Sequence, residues 1–371
     1  MGKDLVEPDW APLTPTEVSS VLAHYGTDTG TVIDWRSPRP MSAAALVHGG
    51  DDAVFVKRHH MRVRSAAQLA VEHAFAAHLR ARGVPVPQVR RTRAGTTTLA
   101  CGEVIYEVHE VAPGIDLYRD AMSWTPFISL GHARAAGATL ARLHQAAAGF
   151  GHPVRAAGVL TNSCAVIIAA DPLAEVGAML RHRPGLGRYL RGRDWRDDLT
   201  RHLLPAIHSA ARLLAGLPRQ WGHGDWHPSN LTWDGAAADA RVAAVFDFGL
   251  ANRTFAVHDL AIALERSTVG WLDLAGAGRA GADLDAVDAL LDGYRSVRPL
   301  SPAEAAALPE VMPIVHLEYA LSEIEYFADV VDSPANADLA YDTYLIGHAR
   351  WFTEPEGSAM LAHLRQRASL R

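Results

Sequence analysis

The residues best equipped for chemistry lie in Trp221-Gly222-His223-Gly224-Asp225-Trp226-His227-Pro228-Ser229-Asn230, followed downstream by Asp247-Phe248-Gly249. They offer a carboxylate, a carboxamide and a second carboxylate. Leu231-Thr232-Trp233 and residues 241–246 read as two antiparallel strands joined across residues 234–240, and a hairpin brings together the residues that flank its open end. Those residues are Asn230 and Asp247, an amide oxygen and a carboxylate converging on one point. Hard oxygen ligands of this kind suit Mg²⁺, which takes one or two protein groups and fills its shell with phosphate and water. Asp225 then sits beside the metal without ligating it, placed to accept a proton from an attacking hydroxyl and to hold it in line with a phosphate.

Two remote residues fit the same chemistry. Lys3 and Lys57 are the only lysines among 35 basic side chains, so a chain this biased to arginine still places a compact ammonium on a flexible stem at position 57. Residues 65–82 read as a helix stopped by Gly83 and Pro85, with Leu69, Glu72, Phe75, Ala76 and Leu79 on one stripe. A carboxylate on an apolar stripe needs a partner, because an unpaired buried charge costs several kcal/mol. Lys57 is the nearest cation able to face inward, so a Lys57–Glu72 pair is expected.

The elements that must position these groups change character along the chain. Strands are expected at residues 31–37, 43–48 and 53–57, with Gly49-Gly50-Asp51-Asp52 as a turn, giving a β-meander that carries Lys57 on its third strand. Two more strands follow near residues 88–92 and across 97–111, ending at Ala112-Pro113-Gly114, which reads as a hinge. Beyond it helices are expected at residues 128–148, 172–180, 195–217, 258–266, 283–297, 302–330 and 336–350. The segment 151–194, rich in Gly, Pro and Arg, reads as a lid or substrate-recognition insert. The fold class is therefore α+β in two lobes, an N-terminal lobe over residues 1–111 and a mostly helical lobe over 112–371.

Composition is consistent with this and excludes several functions. With 371 residues and 49% hydrophobic content the chain can bury a large core. A net charge of -6 and a pI near 6.3 give no footprint for a nucleic-acid partner. Cys101 and Cys164 alone make no disulfide framework, and neither a leader-like N-terminus nor a membrane-length apolar run is present, so a cytoplasmic location is expected. Nothing in the sequence fixes the oligomeric state.

His223-Gly224-Asp225 with Asn230, then Asp247-Phe248-Gly249, resembles the catalytic loop and metal-binding motif of the aminoglycoside phosphotransferase family, bacterial relatives of protein kinases. Val54-Phe55-Val56-Lys57 is similar to the phosphate-binding lysine strand, and Glu72 to the helix glutamate that pairs with it. Residues 106–114 resemble the last N-lobe strand and hinge, Leu140-Ala141-Arg142-Leu143-His144 the helix before the insert, and His258-Asp259-Leu260-Ala261 the segment whose Asp braces the catalytic loop. The resemblance spans about residues 30–350. It implies a protein-kinase-like fold, with an antiparallel sheet and one helix in the N-lobe. It also implies ATP and Mg²⁺, with adenine against the backbone of Glu110 to Ala112, Lys57 on the phosphates, Asn230 and Asp247 on the metal and Asp225 as catalytic base. His223 and Asp259 take supporting roles. One departure is the stretch Ser37-Pro38-Arg39-Pro40-Met41-Ser42, which has no glycine where kinases carry a glycine-rich loop; Arg39 and the amides of Met41 and Ser42 are left to meet phosphate.

Three other readings compete. His223, Asp225 and His227 alternate as three possible ligands for Zn²⁺ in a metallohydrolase, but that leaves Asn230, Asp247, Lys57 and Glu72 unexplained. A nucleotide-binding fold without turnover is at odds with a full set of catalytic groups. A Ser/Thr protein kinase of the bacterial stress-response type has little room for a peptide platform between Gly249 and Asp259, which favours a small hydroxylated acceptor: an antibiotic, amino sugar, amino alcohol or similar metabolite. Glu318, Glu323 and Glu325 are expected to form a solvated helix face rather than an acidic wall around that acceptor.

Overall fold

The computed structural model describes residues 8–27, 32–49, 52–156 and 158–369; Lys3, Thr31 and the turn residues Gly50 and Asp51 lie outside them. A five-stranded antiparallel sheet forms first, from β1 (Val32–Arg36), β2 (Ala43–Gly49), β3 (Asp52–His60), β4 (Thr98–Cys101) and β5 (Val104–Glu110), in the order β1-β2-β3-β5-β4. Alternation along β3 and β5 gives the sheet two different faces. Val54, Val56, Tyr106 and Val108 form one, packed with Val18 and Leu22 of α1 (Pro15–Ala23), whose first turn is closed by a Thr14–Glu17 capping box. Lys57 and Glu107, opposite each other in the ladder, belong to the other face.

Helix α2 (Ala66–Arg80) starts at a Ser65–Gln68 capping box and buries Leu69, Glu72, His73, Phe75, Ala76 and Leu79. Its apolar stripe does not stop at the sheet. Phe75, Ala76 and Leu79 belong to the same continuous core as α3 (Leu130–Ala146) and the helices that follow, so α2 is shared between the two halves of the molecule. The Gln88–Thr92 strand expectation fails: only Val89 makes a bridge, to His109, while the Arg90 amide donates to the Val108 carbonyl. The expected strand over 97–111 is a hairpin of β4 and β5, turned at Gly102, whose φ is 59°.

Several expected helices are broken. Residues 195–217 divide into Trp195–His202 and Leu204–Leu214, the second starting with Pro205 in its first turn, where a missing N–H costs least. Residues 302–330 become Pro302–Val311, a 3₁₀ turn at Met312–Ile314 holding Pro313, Leu317–Glu325 and a π-helical turn at Tyr326–Val330. A second π-helical stretch, Ala340–Gly347, interrupts residues 336–350. Periodicity detects the apolar face of such segments but not the change of winding.

The exit from the sheet is docked rather than free. Ile115 and Trp233 exchange backbone hydrogen bonds of 2.7 and 2.9 Å, and the Thr232 hydroxyl donates to the Pro113 carbonyl at 2.5 Å. This close approach is what Gly114 permits: at φ +89° a Cβ there would lie 2.5 Å from the Trp233 carbonyl oxygen and 2.6 Å from Ala243 Cβ. Gly95, at φ +83°, has nothing within 4 Å of such a Cβ. Gly114→Ala is therefore expected to lose about 2–4 kcal/mol in denaturant unfolding, and Gly95→Ala only about 1–2; equal losses would show that the docking is not what constrains position 114.

Candidate active site

Two nested strand pairs build the site. β7 (Leu231–Trp233) pairs with β8 (Val242–Val245), and outside them β6 (Arg219–Gly222) pairs with β9 (Asn252–Phe255). The inner hairpin fixes one end of each connecting loop and the outer pair fixes the other, so the loop carrying Asp225 and the loop carrying Asp247 are held side by side. The Phe246 amide donates to the Asn230 carbonyl at 3.1 Å, which closes the hairpin beneath Asn230 and Asp247.

The first loop is hung on one buried carboxylate. Asp259, 1% exposed near the start of the helix Ala256–Thr268, accepts the His223 and Gly224 amides, each at 2.7 Å, and His144 of α3 at 2.9 Å. Burial pushes its carboxyl up, but His144 and the two amides more than reverse this and hold it ionised. His223 completes the brace. Its Nδ1 accepts the Asp225 amide at 3.2 Å, so its Nε2 carries the proton and donates to the Phe246 carbonyl at 3.0 Å. Burial holds its pKa below the ordinary imidazole value. With both nitrogens engaged, His223 has no lone pair for a metal, which removes the zinc-hydrolase arrangement.

Asp225 points into the cleft with a fifth of its side chain exposed, and Arg266 donates to its Oδ1. Burial would raise its carboxyl, yet Arg266 and then His227, at 3.4 Å, hold it well below the usual carboxylate range. The Asn230 amide nitrogen donates to the Asp225 carbonyl at 2.8 Å, which turns its Oδ1 acceptor toward the cleft. Asp247 has φ 61°, a conformation costly for a non-glycine residue, and its side chain is 39% exposed. Trp124 and Leu160, also at positive φ, border the same cleft.

Lys57 corrects one expectation. Its Nζ lies 3.0 Å from Asp247 Oδ2, whereas Glu72 pairs with Arg155 at 2.5 Å and Arg64 at 3.2 Å. The reason is tertiary. Arg64 and Arg155 both donate to the Gly249 carbonyl at 3.0 Å, and Arg155 also to that of Ala251 at 2.9 Å. Glu72 is thus the counter-charge of two arginines that clamp the loop after Asp247. Lys57, kept charged by Asp247 and Glu107 against its burial, occupies the position of a cation on Asp247.

The hydrogen-bonding edge expected for adenine is partly spoken for, since the Glu110 amide donates to the Gln88 carbonyl at 2.9 Å; Ala112 opens the docked hinge. Arg39 lines the cleft with Lys57, Asp225 and Asp247, and its guanidinium donates to the carbonyls of Tyr118, at 3.2 Å, and Ala121. A further correction concerns the acidic helix Leu317–Glu325. None of its glutamates is solvated: Glu318 accepts the Ser163 and Val166 amides, Glu325 accepts Arg183, and Glu323 borders the cleft beside Tyr319 and Trp124.

Arg64, Arg155, Arg266 and Glu323 were not identifiable as site residues from spacing. Arg266 left one trace: with Glu265 it is a charged pair directly after the apolar run 260–264, two turns beyond Asp259 on the same face. The donor set at Asn230 and Asp247, all oxygen and already faced by the ammonium of Lys57, fits a hard divalent cation such as Mg²⁺.

Comparison with known proteins agrees with this geometry. Residues 42–300 match the family model described as "Phosphotransferase enzyme family". A homoserine kinase of Granulibacter bethesdensis is 27% identical over 259 residues, 67% of this chain and 66% of that protein. Among solved structures, the microcompartment-associated aminopropanol kinase has a TM-score of 0.61 at 19% identity, covering 96% of this chain and 99% of the other. An aminoglycoside phosphotransferase from Alicyclobacillus acidocaldarius has a TM-score of 0.55 at 18% identity, covering 97% of both. Among the described residues no helix is long and apolar enough to cross a membrane. The two-lobed α+β architecture and the family match together place this chain in the phosphotransferase enzyme family, with the protein-kinase-like fold of the aminoglycoside phosphotransferases.

Proposed function

We propose that this chain is a cytoplasmic, ATP- and Mg²⁺-dependent kinase that phosphorylates the hydroxyl of a small amine-bearing alcohol, with residues 1–111 holding nucleotide and 112–371 holding acceptor. The observation that carries this reading is the convergence of Asp225, Asn230, Asp247 and Lys57 on one cleft. Asn230 Oδ1 and the Asp247 carboxylate would hold the metal, which would supply positive charge against that of the phosphates. Lys57, released from Asp247, turns to the phosphates. Arg39 supplies a second cation from the glycine-free loop, where other kinases rely on backbone amides.

Asp225 orients the acceptor hydroxyl. As the new O–P bond forms and the bond from the γ-phosphorus to the leaving ADP oxygen breaks, the hydroxyl proton passes to Asp225. A carboxylate stabilised by Arg266 is a weak base, so alignment contributes more than proton abstraction, which suits a loose phosphoryl-transfer transition state. The short connection from Gly249 through β9 to the helix at Ala256 supports a small acceptor over a protein one.

Glu323 supports the amine. It is 3% exposed and borders the cleft with Asp225, Tyr319 and Trp124, the two rings lying 4.9 and 5.1 Å from the Arg266 guanidinium. A carboxylate on the cleft wall favours an ammonium group. The homoserine and aminopropanol named for the relatives above each carry an amine and a hydroxyl.

In an ATP-consumption screen over hydroxylated amines, Asp225→Ala should lower kcat about 10²–10⁴-fold while nucleotide affinity stays within a few-fold of wild type; turnover near the wild-type rate would refute the assignment. Burial raises Glu323 to about 7 against the opposing pull of Arg266. It is ionised above that pH and neutral below, so KM for the amine-bearing acceptor should fall as pH rises through about 7. Glu323→Gln should flatten that dependence, and a KM profile unchanged by the substitution would remove Glu323 from the acceptor site.

A further inference from the structure

The inward face of the sheet carries a second cluster of ligand-type side chains, of which His59 alone borders the cleft. Glu107 and His109 stand two residues apart on β5, His59 lies on β3, and His73 follows Glu72 on α2. His73 Nε2 is 2.6 Å and His109 Nε2 3.3 Å from the same Glu107 oxygen, Oε2, and the three ligand atoms all lie within 4.8 Å of one another. The two imidazole rings meet nearly at right angles, 84° apart with centroids 5.9 Å apart, so their nitrogens approach from different directions.

We propose that His73, His109 and Glu107 form a binding site for a divalent transition-metal ion, with zinc as the ion its ligand chemistry selects. Two imidazole nitrogens and one carboxylate oxygen, with a fourth position open, suit Zn²⁺ far better than the all-oxygen preference of Mg²⁺. Zn–N and Zn–O bonds of about 2.0–2.2 Å in a tetrahedron separate neighbouring ligand atoms by about 3.3–3.5 Å. The His109–Glu107 spacing already matches this, and the His73 nitrogen has to retreat from the carboxylate by under about 1 Å, within the reach of small side-chain rotations.

Groups outside the ligand set are arranged as metal sites require. The far nitrogen of His73, Nδ1, is 2.8 Å from the Thr97 hydroxyl, and the free oxygen of Glu107, Oε1, is 3.0 Å from His59 Nε2. Each of these two ligands is thereby oriented from behind. Glu107 is 5% exposed, and its ion-pair partners among the described residues are all histidines, so a bound cation would add to the charge it meets from imidazoles and, at longer range, from Lys57. The His73–Thr97 side of the cluster adjoins open space. A cavity of about 770 Å³ between α2 and residues 87–97 is lined by His73 and Thr97 together with Ala70, Ala77, Arg80 and Val89.

An ion here ties α2 to β5. Because His73 adjoins Glu72 and Glu107 stands opposite Lys57 of the neighbouring strand β3, it fixes the helix that carries Glu72 against the strand paired with the one that carries Lys57. The site stands independently of the kinase assignment, and its test reads metal rather than turnover. The full chain, stripped with EDTA and free of nucleotide, is titrated with Zn²⁺ alone. The expected result is one tightly held equivalent and a Tm raised by about 5 °C at saturating zinc. His73→Gln/His109→Gln keeps amide donors for Glu107 but removes both ligand nitrogens, so it should lose at least about 100-fold in zinc affinity while its metal-free Tm stays close to that of the stripped wild type. Co²⁺ should give a tetrahedral absorption band in wild type that the double variant lacks. Absence of stoichiometric zinc binding by wild type, or equal binding by the double variant, would overturn the site and leave a purely hydrogen-bonded cluster.

Discussion

The active-site cleft depends on a single buried carboxylate. Asp259 receives two consecutive backbone amides, those of His223 and Gly224, and fixes the loop that turns Asp225 outward. The approach is so close that a Cβ at Gly222 would come within 2.5 Å of an Asp259 oxygen. His144 donates to Asp259 from α3 and is itself held by the Tyr294 hydroxyl at 2.7 Å. A charge buried this deeply is tolerable because both of its oxygens accept hydrogen bonds, which makes the loop rigid as well as charged.

Charge is then distributed by geometry rather than by sequence proximity. Arg266 takes Asp225, Lys57 takes Asp247, and Glu72 takes the arginine pair that grips the Gly249 carbonyl. Asp225 and Asp247 thus each rest on a cation before any ligand arrives. Lys57 is the one of these cations that carries a compact ammonium on a flexible stem.

How much of this was legible in the sequence follows from how local each feature is. The convergence of Asn230 and Asp247 rests on one short hairpin, and pairing of Leu231 with Val245 reproduces it. The α2 stripe was legible because every member, Glu72 included, lies at helical spacing on one buried face. The partner of Glu72 was not, because Arg155 comes from an irregular segment whose position relative to α2 is set only by the assembled core. The same applies to Glu323, where spacing alone cannot tell a solvated face from a cleft wall. Residues 88–92 look like a strand because strand-forming residues also serve as a loop laid along a sheet edge, and the C-terminal helices look continuous because winding changes leave the apolar pattern nearly intact.

A crystal structure with a non-hydrolysable ATP analogue and Mg²⁺ would show whether Asn230 and Asp247 hold the metal while Asp225 addresses the acceptor. The expected result is the ion about 2.0–2.1 Å from Asn230 Oδ1 and the Asp247 carboxylate, Lys57 turned to the phosphates, Glu72 still on Arg64 and Arg155, and Asp225 unligated. A metal bound through Asp225 and His227, or a γ-phosphate out of reach of Asp225, would contradict it.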